Sequence, residues 1–266
     1  MRRIGIIGFG AIGAEVASRL GQGIAGPVEL VVLLRPGSSR RAAVPACVTV
    51  VDSPRQLLAL RPHLVVEAAG HAALREHAVL CLEAGVPVVA SSIGALADEA
   101  LRARLEKAAR EGGAPLLLPG GAVTGQDYLE AVRHLPDTRV TYISRKPPAA
   151  WQDQLAARGI APEALKEPLE LFAGTASEAA RRYPKNLNVA ATLALAGLGM
   201  EQTAVRVIVD PAACGNTHEV TVEGPAGRMT LSLVNAAAPA NPKTAWVTGL
   251  SVAAAVARHF AAVRVA

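Results

Sequence analysis

The chain has 266 residues, 51% of them hydrophobic and 18% charged, which is enough apolar material for two modest domains and too much for a disordered chain. Its net charge of +5 is spread along the sequence apart from short clusters such as Arg40-Arg41 and Arg181-Arg182, and aromatics make up only 3%. That pattern argues against a nucleic-acid partner and suits an anionic cofactor and a small anionic substrate. Cys47, Cys81 and Cys214 lie far apart without CxxC spacing, which points to neither a disulfide framework nor a zinc site and fits a reducing cytoplasm.

In chain order, Met1-Arg2-Arg3 and the apolar stretch to Ile12 imitate a secretion signal, but glycines interrupt the run and Glu15 follows closely. The segment is read as a buried strand and turn. Strand-like runs recur at residues 3–7, 28–34, 47–51, 64–68, 87–90 and 115–118, separated by helical segments at 11–20, 54–60, 72–83 and 96–111. The runs are continuously apolar instead of alternating, which predicts parallel strands covered on both faces. The expectation is an α/β fold, a Rossmann-type doubly wound parallel sheet.

Between the first strand and the first helix lies Gly8-Phe9-Gly10-Ala11-Ile12-Gly13, a GxGxxG turn. Gly8 permits the tight bend, Gly10 lets the backbone approach a pyrophosphate, and Gly13 lets helix and strand pack closely. Ala11 and Ile12 open the helix, whose N-terminal N–H groups favour an anion. The context points to a dinucleotide cofactor. A site selective for NAD carries Asp or Glu near the end of the second strand, whereas here the segment reads Leu34-Arg35-Pro36-Gly37-Ser38-Ser39-Arg40-Arg41. Arg35, helped by Ser38, Ser39 and Arg40, suits a 2′-phosphate, so NADP is expected to be accepted besides NAD. Ala69 and Gly70, at the carboxyl end of the fourth strand, are further cofactor candidates. His71 can reach the same edge, and His77 is read as a surface residue.

After Gly120-Gly121 the rhythm changes. A helix near 128–134 and a strand at 140–144 precede a Pro-rich, charged passage at 146–168. Helical stretches follow around 176–182 and 188–196, then strand-like runs at 205–209, 219–223 and 229–234, the last two joined by a Gly-Pro-Ala-Gly turn. This predicts a second, α+β domain. A final helix is expected at 244–260; its apolar stretch, 246–260, falls short of the roughly 20 residues a bilayer span requires and is read as packed, with no membrane partner. The expected division is a dinucleotide-binding domain over 1–121, onto which 241–266 returns, and a catalytic and dimerisation domain over 122–240.

Several segments carry a more specific signal: Val66-Glu67-Ala68-Ala69-Gly70-His71, Ala90-Ser91-Ser92-Ile93-Gly94-Ala95-Leu96, Leu118-Pro119-Gly120-Gly121-Ala122, Pro184-Lys185-Asn186-Leu187-Asn188-Val189-Ala190-Ala191-Thr192 and Asn216-Thr217-His218-Glu219. Together they resemble L-aspartate dehydrogenase, over essentially the whole chain. The resemblance implies oxidation of L-aspartate with NAD or NADP to iminoaspartate, which hydrolyses to oxaloacetate and ammonia or feeds NAD biosynthesis. It places the active-site histidine at His218 and cofactor-contacting residues at Ala122 and Asn188, and it implies a homodimer. Gly120-Gly121 departs from the Ser-Gly common among relatives.

The residues read by themselves are compatible with that chemistry. His218 lies at the start of a strand beside Gly215, Asn216 and Thr217, a polar setting in which an imidazole stays partly hydrated and titrates near neutrality. It can take a proton from an amine or activate a water. Only five lysines occur. Lys185 is a candidate for a substrate carboxylate, with Asn186 beside it as a second contact or a helix cap. Lys243 and Thr244 precede the last helix as further substrate candidates, Thr244 alternatively as its cap. Two rival readings stay open: another two-domain reductase of homoserine or dihydrodipicolinate type, and a non-enzymatic NADP sensor.

Overall fold

The structure, a computed structural model, describes residues 1–183, 188–239 and 241–264. Contacts divide the chain into two units, Met1–Gly121 with Thr248–Ala266, and Ala122–Val247.

The first unit is a six-stranded sheet in the order β3-β2-β1-β4-β5-β6, with every neighbouring pair parallel. Its strands are β1 (Arg2–Ile7), β2 (Val28–Leu33), β3 (Thr49–Val51), β4 (Leu64–Glu67), β5 (Val88–Ala90) and β6 (Leu116–Leu117). The continuous apolar runs have the expected cause. Ile4, Ile6, Val32, Val66 and Val89 bury one face against Val16 and Leu20 of α1 (Ala11–Gly21). The alternate residues Val31, Val65 and Val88 are buried as well. The first face is completed by Val252, Ala253 and Val256 of the last helix, Trp246–Phe260. Because strand order reverses between β1 and β4, the carboxyl ends of these two strands open a crevice.

Helices α2 (Pro54–Ala59), α3 (His71–Ala73), α4 (Val79–Glu83) and α5 (Glu99–Gly112) complete this unit. A π-turn at Leu74–Ala78 joins α3 to α4. The helix expected at 96–111 starts later, because Asp98 caps it by accepting the Leu101 N–H at 3.1 Å, and a tighter 3₁₀ turn at Ile93–Ala97 precedes it.

The second unit holds a mixed five-stranded sheet in the order β11-β10-β7-β9-β8. Its elements in chain order are α6 (Gln126–Val132), β7 (Arg139–Lys146), α7 (Gln152–Ala156), β8 (Leu169–Thr175), α8 (Ala176–Arg182), α9 (Asn188–Ala196), β9 (Thr203–Val209), β10 (Asn216–Gly224) and β11 (Gly227–Asn235). β7 and β9 run parallel, and the other pairs are antiparallel. β8 was not visible in the hydrophobic pattern. It is an edge strand with a register shift at Glu170/Phe172, and only Leu171 of its seven residues is buried.

The chain then pairs β12 (Ala237–Ala238) with β13 (Asn241–Ala245) before α10 (Trp246–Phe260). Thr244 is therefore a strand residue and not the cap of the last helix. Its Oγ1 accepts the Asn241 side-chain N–H at 3.0 Å. The pairing also explains why residues 241–247 group with the second unit and the division falls at Thr248. Among the described residues no helix is long and apolar enough to cross a membrane.

Candidate active site

The crevice of the first unit has a volume of about 660 Å³ and is walled by Gly8, Gly10, Arg35, Ser38, Arg40 and Ala69 among others. The local sequence explains its shape. Gly8 has φ +90°, and a Cβ there would lie 2.7 Å from the Ala69 Cβ. A Cβ on Gly13 would overlap the Gly8 carbonyl oxygen. Gly10 differs, since a Cβ on it meets nothing within 4 Å. Gly10 caps α1 with no side-chain hydrogen bond, so the first-turn N–H groups face open space where an anion is favoured. A dinucleotide pyrophosphate fits this cradle.

Arg35 and Arg40 border the same crevice without an ion pair among the described residues, while Ser38 accepts the Arg40 N–H. A carboxylate does reach this edge, from β3 and not β2: Asp52 lines the crevice and pairs with Arg41. Its position directly after a strand was the available signal, because every strand of such a sheet delivers its carboxyl end here. His77 also needs correction, since it lines the crevice with a side chain only 13% exposed and its Nδ1 buried without a partner. The helical turn after α3 folds it inward.

Glu67, at the end of β4, is fully buried. Its Oε1 accepts the N–H groups of Ala69 and Gly70, both at 2.8 Å, and the Ser92 hydroxyl at 3.0 Å. Its Oε2 accepts the Ser92 N–H at 3.1 Å. Burial pushes the carboxyl above its usual range, and these donors pull it back. Glu67 thus clamps the loop carrying Ala69 and Gly70 against Gly8. A lone acidic residue ending an apolar strand was its only trace in the sequence.

In the second unit, His218 is not in a hydrated loop. It lies within β10, 4% exposed, directly across from Ser144 of β7. Burial, and then the charge of Lys146, lower its pKa to about 4, so the imidazole is neutral at pH 7 and does not titrate near neutrality as the sequence suggested. Its Nδ1 meets the Tyr142 hydroxyl at 2.7 Å. With Nδ1–H donating to the phenol, Nε2 keeps a lone pair and is a base; with the phenol donating, Nε2 carries the proton and is an acid. Burial raises the Tyr142 pKa, which keeps the phenol protonated. Ser144 Oγ lies near enough to Tyr142 to ease its ionisation, yet makes no hydrogen bond of good geometry.

Ala122 is tied to the same end of the sheet. Its carbonyl accepts the Asn235 side-chain N–H at 2.8 Å, and Asn235 pairs with Asn216, two residues before His218. Asn188 is the exposed first residue of α9, its carbonyl accepting from Thr192 Oγ1 at 2.9 Å. Lys185 and Asn186 lie outside the described residues. Lys243 falls in β13, and its side chain lies outside the described ones as well.

The glycine cradle at the switch point of the first unit's parallel sheet defines a class, the dinucleotide-binding oxidoreductases. A family model described as "Homoserine dehydrogenase, NAD binding domain" matches residues 8–119, and one described as "Aspartate dehydrogenase, C-terminal" matches residues 127–259. The chain is 52% identical to L-aspartate dehydrogenase 2 of Bordetella bronchiseptica over 97% of each chain. It is 42% identical to L-aspartate dehydrogenase of Ruegeria pomeroyi over 98% of this chain and 94% of that one. The solved aspartate dehydrogenase of Thermotoga maritima matches over 100% of both chains with a TM-score of 0.76 at 23% identity, a likeness of fold. The chain belongs to the L-aspartate dehydrogenase family, as its sequence resemblance implied.

Proposed function

We propose that the chain oxidises L-aspartate with NADP or NAD, yielding iminoaspartate that hydrolyses to oxaloacetate and ammonia, and that it also runs in reverse. The observation that carries this reading is the buried, neutral His218 bonded through Nδ1 to Tyr142, in a chain with a dinucleotide-binding unit. A bound nicotinamide dinucleotide supplies the hydride acceptor. His218 Nε2 receives a proton from the substrate amine, and in the hydrolytic half it serves the water that adds to the imine. Tyr142 holds the ring in place during both. Gly8, Gly10, Ala11, Ile12 and Gly13 seat the pyrophosphate, with Ala69, Gly70, Ala122 and Asn188 as further cofactor contacts.

Arg35 and Arg40, which make no ion pair among the described residues, support acceptance of a 2′-phosphate, and Asp52 is held by Arg41 and less free to take a ribose hydroxyl. The same reading includes supply of iminoaspartate to NAD biosynthesis in the cytoplasm and assembly as a homodimer. Absorbance at 340 nm tests it, forward with L-aspartate and backward with oxaloacetate plus ammonia. Turnover with homoserine but none with L-aspartate would defeat it.

A further inference from the structure

The neighbours Arg145 and Lys146 on β7 meet opposite fates. Strand alternation turns them to opposite faces of the sheet. Arg145 is fully compensated, its Nε on Glu219 at 2.9 Å and its Nη1 on Asp210 at 3.2 Å. Lys146 shares its face with Tyr142 and Ser144, and through the β7–β10 register with His218. Among the described residues no carboxylate pairs with it. Its ammonium stands 5.6 Å from the Trp151 ring centroid, and the indole Nε1 of Trp151 is itself buried without an acceptor.

An ammonium partly withdrawn from water with no counter-ion is costly, and evolution of stability alone would replace it by an apolar side chain. Burial pushes Lys146 down to about 8, which still leaves it mostly charged at neutral pH. Among the described residues, then, the face that carries His218 holds a cation without a carboxylate partner, next to a buried N–H donor without an acceptor, and no anion serves either.

We propose that Lys146 is a substrate-binding residue that receives a carboxylate of the dicarboxylic amino acid beside His218, the role for which the sequence alone pointed to Lys185 and Lys243. The assignment rests on the reading of His218 as the acid–base group. Lys146→Met and Lys146→Arg test it in the full chain saturated with NADP, with succinate as an unreactive dicarboxylate titrated calorimetrically and L-aspartate kinetics alongside. In the Met variant the succinate Kd and the L-aspartate KM should rise about tenfold or more, with a much smaller change in kcat and an unchanged or higher Tm; the Arg variant should recover part of the affinity. Unaltered succinate binding by the Met variant, or a loss confined to kcat, overturns the Lys146 assignment while leaving His218 in place. A native chain that neither oxidises L-aspartate nor binds succinate overturns both.

Discussion

The Tyr142 hydroxyl and His218 Nδ1 are 2.7 Å apart on adjacent strands, with their rings inclined by only 22°. The bond fixes the imidazole and leaves Nε2 as the ring nitrogen available to a ligand. Tyr142→Phe keeps the ring but strands Nδ1 in a buried site, at a cost of about 1–3 kcal/mol. Turnover should fall about tenfold to hundredfold, with dinucleotide affinity unchanged. Full turnover in the Phe variant would reduce Tyr142 to a packing residue.

The low pKa of His218 has a consequence for stability against pH. The folded protein protonates this group only near pH 4, whereas the unfolded chain does so near the ordinary 6.5. Between these values the unfolded state binds more protons, so stability falls as pH drops from 6.5 towards 4, by roughly 3 kcal/mol for this group. Above pH 6.5 it contributes no slope. Urea denaturation at several pH values should show the acid loss in the native protein and a shallower one in His218→Gln. Identical slopes would mean that the imidazole is not buried as described.

The second and third glycines of the turn should behave differently when each is replaced by alanine. Gly13→Ala drives a methyl into the Gly8 carbonyl and should lower the Tm by several degrees, together with affinity for the cofactor. Gly10→Ala places its methyl in open space and should cost about 1 kcal/mol or less. It should nevertheless weaken dinucleotide binding about tenfold, because the methyl occupies room the pyrophosphate needs. Fluorescence titration with NADPH separates the cases, and native affinity in Gly10→Ala would move the phosphate elsewhere.

Glu67→Gln keeps the shape of the clamp but turns an amide N–H towards the donors it must accept. At least one donor of the Ala69, Gly70 and Ser92 set then loses its acceptor, at about 1–3 kcal/mol. Both the Tm and the affinity for NADPH should drop, since the loosened loop borders the crevice. A lower Tm with native affinity would show that the clamp serves the fold alone.

Much of the first unit was legible because its strands are buried on both faces, so their apolar runs stand out, and because a phosphate turn has steric demands that only glycine meets. The second unit was harder. β8 buries one side chain in seven and leaves no periodic trace. The burial of His218 follows from its place across from Ser144 in a three-strand register, which no local window reveals, and its polar neighbours in sequence suggested the opposite. Tyr142 and Lys146 were overlooked for the same reason: they lie more than seventy residues from His218 along the chain and become its neighbours only through strand pairing. Glu67 stands in the Val66–His71 segment, yet its meaning depends on Ser92, which is 25 positions away.

The packing of α10 into the first unit has an implication for biosynthesis. Gly121 donates its N–H to Ser251, 130 residues further on, and Val252, Ala253 and Val256 seal the sheet that begins at Arg2. While a ribosome is still making the second unit, the nascent nucleotide-binding sheet exposes a greasy strip that nothing yet made can cover. Only the emergence of α10 ends that interval, so this helix acts as a closing latch, and the first unit acquires its finished form after the second has been translated.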